Sequence, residues 1–177
     1  EIMRFCQAFL SELYRHIGPD VDVTAGDMGL GGREIGYLFG QYKRIKGAFE
    51  NGVLTGKDLS YGGSLIRPEA TGFGAAYFAQ HLLNHEGTSF EGKNVSITGF
   101  GNVAWGVATK VTEMGGKIVT ISGPDGYIYD EEGVSGEKID YMIDIRDTGA
   151  NKVSVYPDKF PSSKFFTREK PWGKVPY

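Results

Sequence analysis

An α/β fold with a parallel sheet is the class this sequence predicts, on three observations. The runs "NVSITG" (94–99) and "KIVTIS" (117–122) read as short strands, with a helical stretch from Asn102 to Met114 between them. Strand, glycine turn, helix, strand is a βαβ unit, and such units form parallel sheets with right-handed crossovers. Ahead of Lys93, apolar residues recur instead at helical spacing, so helices dominate the first half.

Taken in order, Ile2, Phe5, Cys6, Phe9, Leu10, Leu13 and Ile17 make one helical stripe, closed by Gly18-Pro19. "VDVTAGDMGLGGRE" (21–34) reads as a short strand running into a glycine-rich loop. A second helix is expected from about Gly32 to Ile45, with Ile35, Leu38, Phe39, Tyr42 and Ile45 on one face. Residues 51–66 are loop-like, and a boundary between two pieces falls near Tyr61-Gly62-Gly63. Arg67-Pro68-Glu69 opens a third helix to about His85; proline suits a first turn, where its missing N–H would have had no partner. "SGPDGYIYDEEG" (122–133) predicts turns around a small hairpin, and Ser135 caps a last helix to Arg146.

Bulk properties exclude several classes. A chain of 177 residues holds one substantial domain or pieces of two. A net charge of -3 argues against a nucleic-acid binder held by phosphate contacts. Gly, Ser and Thr break every uncharged run, so no membrane span is expected. Cys6 cannot form an internal disulfide, which suits a reducing cytosol; on its apolar face it reads as a small buried hydrophobe. No metal site is expected. The chain opens inside an amphipathic pattern without an initiator methionine, and reads as an internal piece of a longer protein.

Gly99-Phe100-Gly101-Asn102-Val103-Ala104 carries the first chemical signal. A dinucleotide needs its pyrophosphate at a helix N-terminus, where free N–H groups and the dipole favour negative charge. Gly99 permits the tight turn, Gly101 lets the backbone approach the phosphates, and Ala104 lets helix and strand pack closely. The competing reading is a βα turn whose glycines serve packing alone. The carboxylate for a ribose usually follows about 20 residues on, at the end of the second strand. Asp125 comes slightly late and, inside Pro-Asp-Gly, is equally a β-turn residue. Gly123 stands where an acid would repel a 2′-phosphate, and Arg146 and Lys152 are the bases that would pair with one. NAD and NADP both stay open, with Asp125 tipping the balance towards NAD.

Asp27, between Gly26 and Gly29, is the second signal. A carboxylate moved towards neutral pKa by partial burial shuttles protons; the alternative is an Asp that caps the next helix or forms an Asx turn.

The stretches "MRFCQAF", "ELYRHIG", "AGDMGLGGREIGYLFGQYKRI", "LTGKDLSYGGSLIRPEATGFG", "GFGNVAWG" and "GPDGYIYD" together resemble the hexameric glutamate dehydrogenases of bacterial type, over essentially the whole chain. The resemblance implies an oxidoreductase of amino-acid metabolism, cytoplasmic and homo-hexameric. It would interconvert L-glutamate with 2-oxoglutarate and ammonium, using NAD or NADP. It implies an α/β chain holding the end of a substrate (dimerisation) domain, residues 1–62, then the first half of a Rossmann-like cofactor domain, residues 63–177, with a cleft between the domains. Asp27 matches the family's catalytic aspartate, Gly26 a residue whose backbone contacts substrate, Thr71 the threonine at the nicotinamide end, and Asn102 a cofactor-binding asparagine. With them, Gly99, Phe100, Gly101, Val103 and Asp125 make up the expected cofactor site. The family's catalytic lysine, in a "KGG" motif, and its substrate-gripping lysines are not in this chain, which is therefore expected to be inactive alone. Lys43, Lys46 and Lys57 read as solvated surface residues instead. Two rivals stand beside this reading: a dehydrogenase for another amino acid of the leucine, phenylalanine or valine type, and a nucleotide-binding module without catalysis.

Overall fold

A computed structural model describes all residues except 28, 66, 67, 148–151 and 177. The chain divides into two compact units, Glu1–Ile66 and Arg67–Tyr177. Among the described residues no helix is long and apolar enough to cross a membrane.

In the first unit, α1 (Ile2–Leu13) packs on α2 (Gly32–Lys46). Cys6 and Leu10 of α1 meet Ile35, Leu38, Phe39 and Tyr42 of α2, with Ile17, Val53 and Leu54 closing the core. The expected single stripe of α1 is split. One partner helix covers one narrow face, so Phe5 and Phe9 stack on each other outside it, 70% and 50% exposed. The helix also stops four residues short of Ile17, which reaches the core from the following turn. The strand expected after Val21 shrinks to one parallel bridge, Thr24 with Leu54. α2 ends where Gly47 turns left-handed at φ 66° and returns its N–H to the Lys43 carbonyl.

The second unit holds the predicted βαβ: β1 (Asn94–Ser96), α4 (Asn102–Glu113) and β2 (Lys117–Ser122), with the two strands parallel. β3 (Gly126–Tyr129) and β4 (Lys164–Thr167) extend the sheet antiparallel, in the order β1-β2-β3-β4. β1 is shorter than its apolar run because the register slips between Val95 and Ser96. Beyond the slip the Thr120 hydroxyl joins the backbone ladder, sharing the Ile97 N–H with the Thr120 carbonyl at 3.1 and 3.4 Å.

α3 (Ala70–His85) begins three residues later than expected: the Glu69 carbonyl accepts the first helical bond, from Phe73, which leaves Pro68 in the turn ahead. α3 and α4 cross with their backbones in contact. A Cβ on Gly72 would lie 2.4 Å from the Val103 carbonyl oxygen, and one on Gly106 2.5 Å from that of Glu69. α5 (Glu137–Asp147) starts two residues after Ser135, because the Gly136 carbonyl takes the Asp140 N–H. α5 is anchored by Lys138, which with the Tyr156 hydroxyl of α6 (Tyr156–Lys159) closes on the fully buried Asp130 at 2.7 and 2.6 Å.

Candidate functional site

Gly99 has φ 148°, which a side chain would resist, and its N–H is taken by the Ser122 hydroxyl at 3.2 Å. Phe100 turns its ring into the core, edge-on to Trp105 at 5.4 Å, so it offers a ligand only its backbone. Gly101, the N-cap of α4, is different. Its backbone is extended, and a Cβ there would meet nothing within 4 Å. Neither conformation nor packing requires glycine at that point. Its carbonyl accepts from Trp105, but no side chain caps the helix and its first turn holds no acid. The first-turn N–H groups of Asn102, Val103 and Ala104 have no intrahelical partners, and the positive end of the dipole lies with them. Open space over a glycine beside uncapped amides fits a phosphate group.

The side chains around this turn are arranged in ways the sequence did not reveal. Arg146, at the end of α5, donates to the Asn102 Oδ1, so the residue considered for a 2′-phosphate is committed to Asn102. Both line a cavity of about 590 Å³ with Phe73, Trp105, Gly106 and Ile143. Thr71 is exposed in the first turn of α3, next to the Gly72 that abuts Val103.

Asp125 lies in the three-residue connection between β2 and β3, where the Gly123 N–H goes to the Gly126 carbonyl at 2.8 Å. Its carboxylate oxygens accept the N–H groups of Val153 and Ser154 at 3.1 and 3.0 Å. Burial alone would raise this carboxyl; the two amides outweigh it and hold it below its usual range. The same contact brings the segment of Lys152 back to Asp125, the fold-back that local sequence does not show.

In the first unit, Gly26 is required by close approach: a Cβ would lie 2.7 Å from the Leu30 carbonyl oxygen. The Asp27 carbonyl accepts the Leu30 N–H, and Asp27 is exposed, so these residues do not provide the expected partial burial. Nor does Asp27 occupy the cap position of α2. That N-cap is Gly31, whose N–H goes to the Glu34 carboxylate at 3.0 Å. The pattern Gly31-x-x-Glu34 is a capping signature with glycine replacing the usual Ser or Thr, and could have been read as one.

Lys57 departs most from expectation. It is 5% exposed, donates to the Leu54 carbonyl, and lies over the Phe39 ring; burial pushes its amine down. Lys43 and Lys46 are exposed, as expected.

Residues 62–176 match the family model described as glutamate/leucine/phenylalanine/valine dehydrogenase, and residues 1–44 the dimerisation domain of the same group. The chain is 61% identical over 175 residues to an NAD-specific glutamate dehydrogenase of Clostridium symbiosum, and 62% identical over 172 residues to that of Bacteroides fragilis. These alignments cover 98% and 97% of the chain, which spans 39% and 38% of the relatives' lengths. A solved glutamate dehydrogenase superposes with a TM-score of 0.91 at 61% identity, over 98% of this chain and 39% of that one. The open turn before α4, the two-unit division and the matches along the chain agree: it belongs to the glutamate/leucine/phenylalanine/valine dehydrogenase family.

Proposed function

We propose that this chain is the central part of a glutamate dehydrogenase that oxidatively deaminates L-glutamate with NAD+ and water, giving 2-oxoglutarate, ammonium, NADH and a proton. The observation that carries the cofactor half is the uncapped start of α4 under an empty Gly101. When bound, the dinucleotide supplies the hydride acceptor. The chain's own residues do the rest. The N–H groups of Asn102, Val103 and Ala104 and the Gly101 backbone hold the pyrophosphate, and Thr71 orients the nicotinamide end. Asp27 carries protons to and from the reacting nitrogen, for which its exposed place in the glycine loop is suited. The Gly26 backbone positions the substrate.

Residues 1–62 then close the substrate domain and 63–177 open the cofactor domain, supported by the family match beginning at residue 62 and the unit division at 66. The dimerisation-domain match supports a homo-oligomer, a cytoplasmic hexamer in this reading. NAD rather than NADP is supported by the engagement of Arg146 with Asn102 and by the negative charge that the Val153 and Ser154 amides fix at Asp125, which repels a 2′-phosphate; Lys152 is the base that opposes it.

The test uses the full-length protein. Gly101→Val should weaken dinucleotide binding at least tenfold by calorimetry while the fold survives, because the added side chain enters space that the protein leaves empty. Unchanged affinity would end the cofactor reading. Faster turnover of leucine than of glutamate by wild type would replace the substrate.

A further inference from the structure

We propose that Arg146 is a positioning residue, which fixes the Asn102 amide so that it faces the dinucleotide as a hydrogen-bond donor. The contact is specific in chemistry. A guanidinium has five N–H donors and no acceptor, so the Asn102 atom turned to Arg146 can only be Oδ1. An asparagine that gives its oxygen to a fixed cation keeps two Nδ2–H donors for anything else. Asn102 is exposed at the first position of α4, beside the uncapped amides, so its Nδ2 extends the same row of donors. Without Arg146 the amide would rotate freely, and for part of the time would present an oxygen to the oxygens of a phosphate or ribose.

The arm that carries Arg146 is itself held. Lys138, two turns earlier on α5, is bound to the buried Asp130, and Ile143 packs against the core. Arg146 thus reaches Asn102 from a secured helix, across 44 residues of sequence. The acceptors it selects for are oxygen atoms, phosphoryl or ribose hydroxyl.

This inference rests on the dinucleotide reading above, and the experiment separates the two. NADH dissociation constants are measured by fluorescence titration of the full-length protein carrying Asn102→Ala, Arg146→Met, Arg146→Lys, or the first two combined. Asn102→Ala should weaken binding about fivefold, and Arg146→Met about threefold, on the scale of one hydrogen bond. The double variant should bind within about twofold of Asn102→Ala alone, because Arg146 acts only through that side chain. Arg146→Lys, still a donor, should recover most of the loss. Losses that multiply in the double variant, or wild-type affinity in Arg146→Met, would overturn the positioning role and leave the cofactor site standing. Wild-type affinity in Asn102→Ala would remove Asn102 from the site and this inference with it. If Arg146→Met does not fold, Arg146→Ala takes its place in the same cycle.

Discussion

α2 and α4 begin alike and are finished differently. Each follows a glycine-rich loop, each has an extended glycine as N-cap, and in each the cap carbonyl accepts from the fourth residue on, Ile35 to Gly31 at 3.0 Å and Trp105 to Gly101 at 3.1 Å. At α2 the third helical residue is Glu34, whose carboxylate returns to the cap N–H and also receives Arg33. At α4 the equivalent residue is Ala104, buried, with no acid anywhere in the first turn. One helix brings its own anion; the other leaves the place open. Glycine loops are therefore poor evidence of ligand binding until the third helical position has been checked for an acid.

The largest expected effect breaks the comparison on the α2 side. Glu34, not Asp27, caps α2, and Asp27 stays exposed in its glycine loop. In the full-length enzyme Asp27→Asn should lower kcat roughly 100- to 10,000-fold with dinucleotide affinity unchanged. Near-normal steady-state turnover would mean that Asp27 is a loop residue only.

Giving α4 an anion of its own should make it behave like α2. Val103 is 47% exposed in the first turn, and Val103→Glu places a carboxylate among the free amides. Dinucleotide affinity should fall at least tenfold, about 1.4 kcal/mol, while thermal stability rises by roughly 0.3–1 kcal/mol. Calorimetry reads both, and opposite signs are the expected result.

Taking the anion from α2 sharpens the contrast through pH. Burial would raise the Glu34 carboxyl, but bonds from Arg33 and the Gly31 N–H prevail and hold it low. Its stabilisation is thus complete above the ordinary carboxyl range, and is lost as pH falls through the lower folded value. Glu34→Gln should cost about 1 kcal/mol near pH 7, and its denaturation midpoint should converge on wild type in strong acid. The smallest effect is Gly101→Ser, where the hydroxyl caps α4 itself. A gain of a few tenths of a kcal/mol in stability should accompany weaker dinucleotide binding in the same titration.

Much of this arrangement was legible in the sequence, and the illegible parts share a cause. The βαβ unit, α2 and the hairpin follow from period and turn residues, which are local. Gly99-x-Gly101 marked the turn between β1 and α4, because strand and helix flank it. What period cannot show is how much of an apolar stripe finds a partner, hence exposed Phe5 and Phe9. Composition cannot show a lysine folded under a ring, hence Lys57. The side-chain partners of the site span long intervals: Arg146 to Asn102, and Asp125 to the amides of Val153 and Ser154. No spacing rule joins such residues. The roles given to Asp27, Gly26 and Thr71 came from family resemblance, and their substitution is what tests them.

The crossing of α3 and α4 has a consequence for tolerance to change. Gly72 and Gly106 let two main chains touch, so the separation between Thr71 and the start of α4 is set by backbone atoms. Side-chain repacking elsewhere can tilt or loosen many helix pairs, but it has no purchase on a contact made without side chains. That distance works as a gauge block: sequence drift around it alters the finish of the surfaces and leaves the gap the same. Either glycine enlarged by one methyl would reset the gauge, forcing Thr71 and the start of α4 apart.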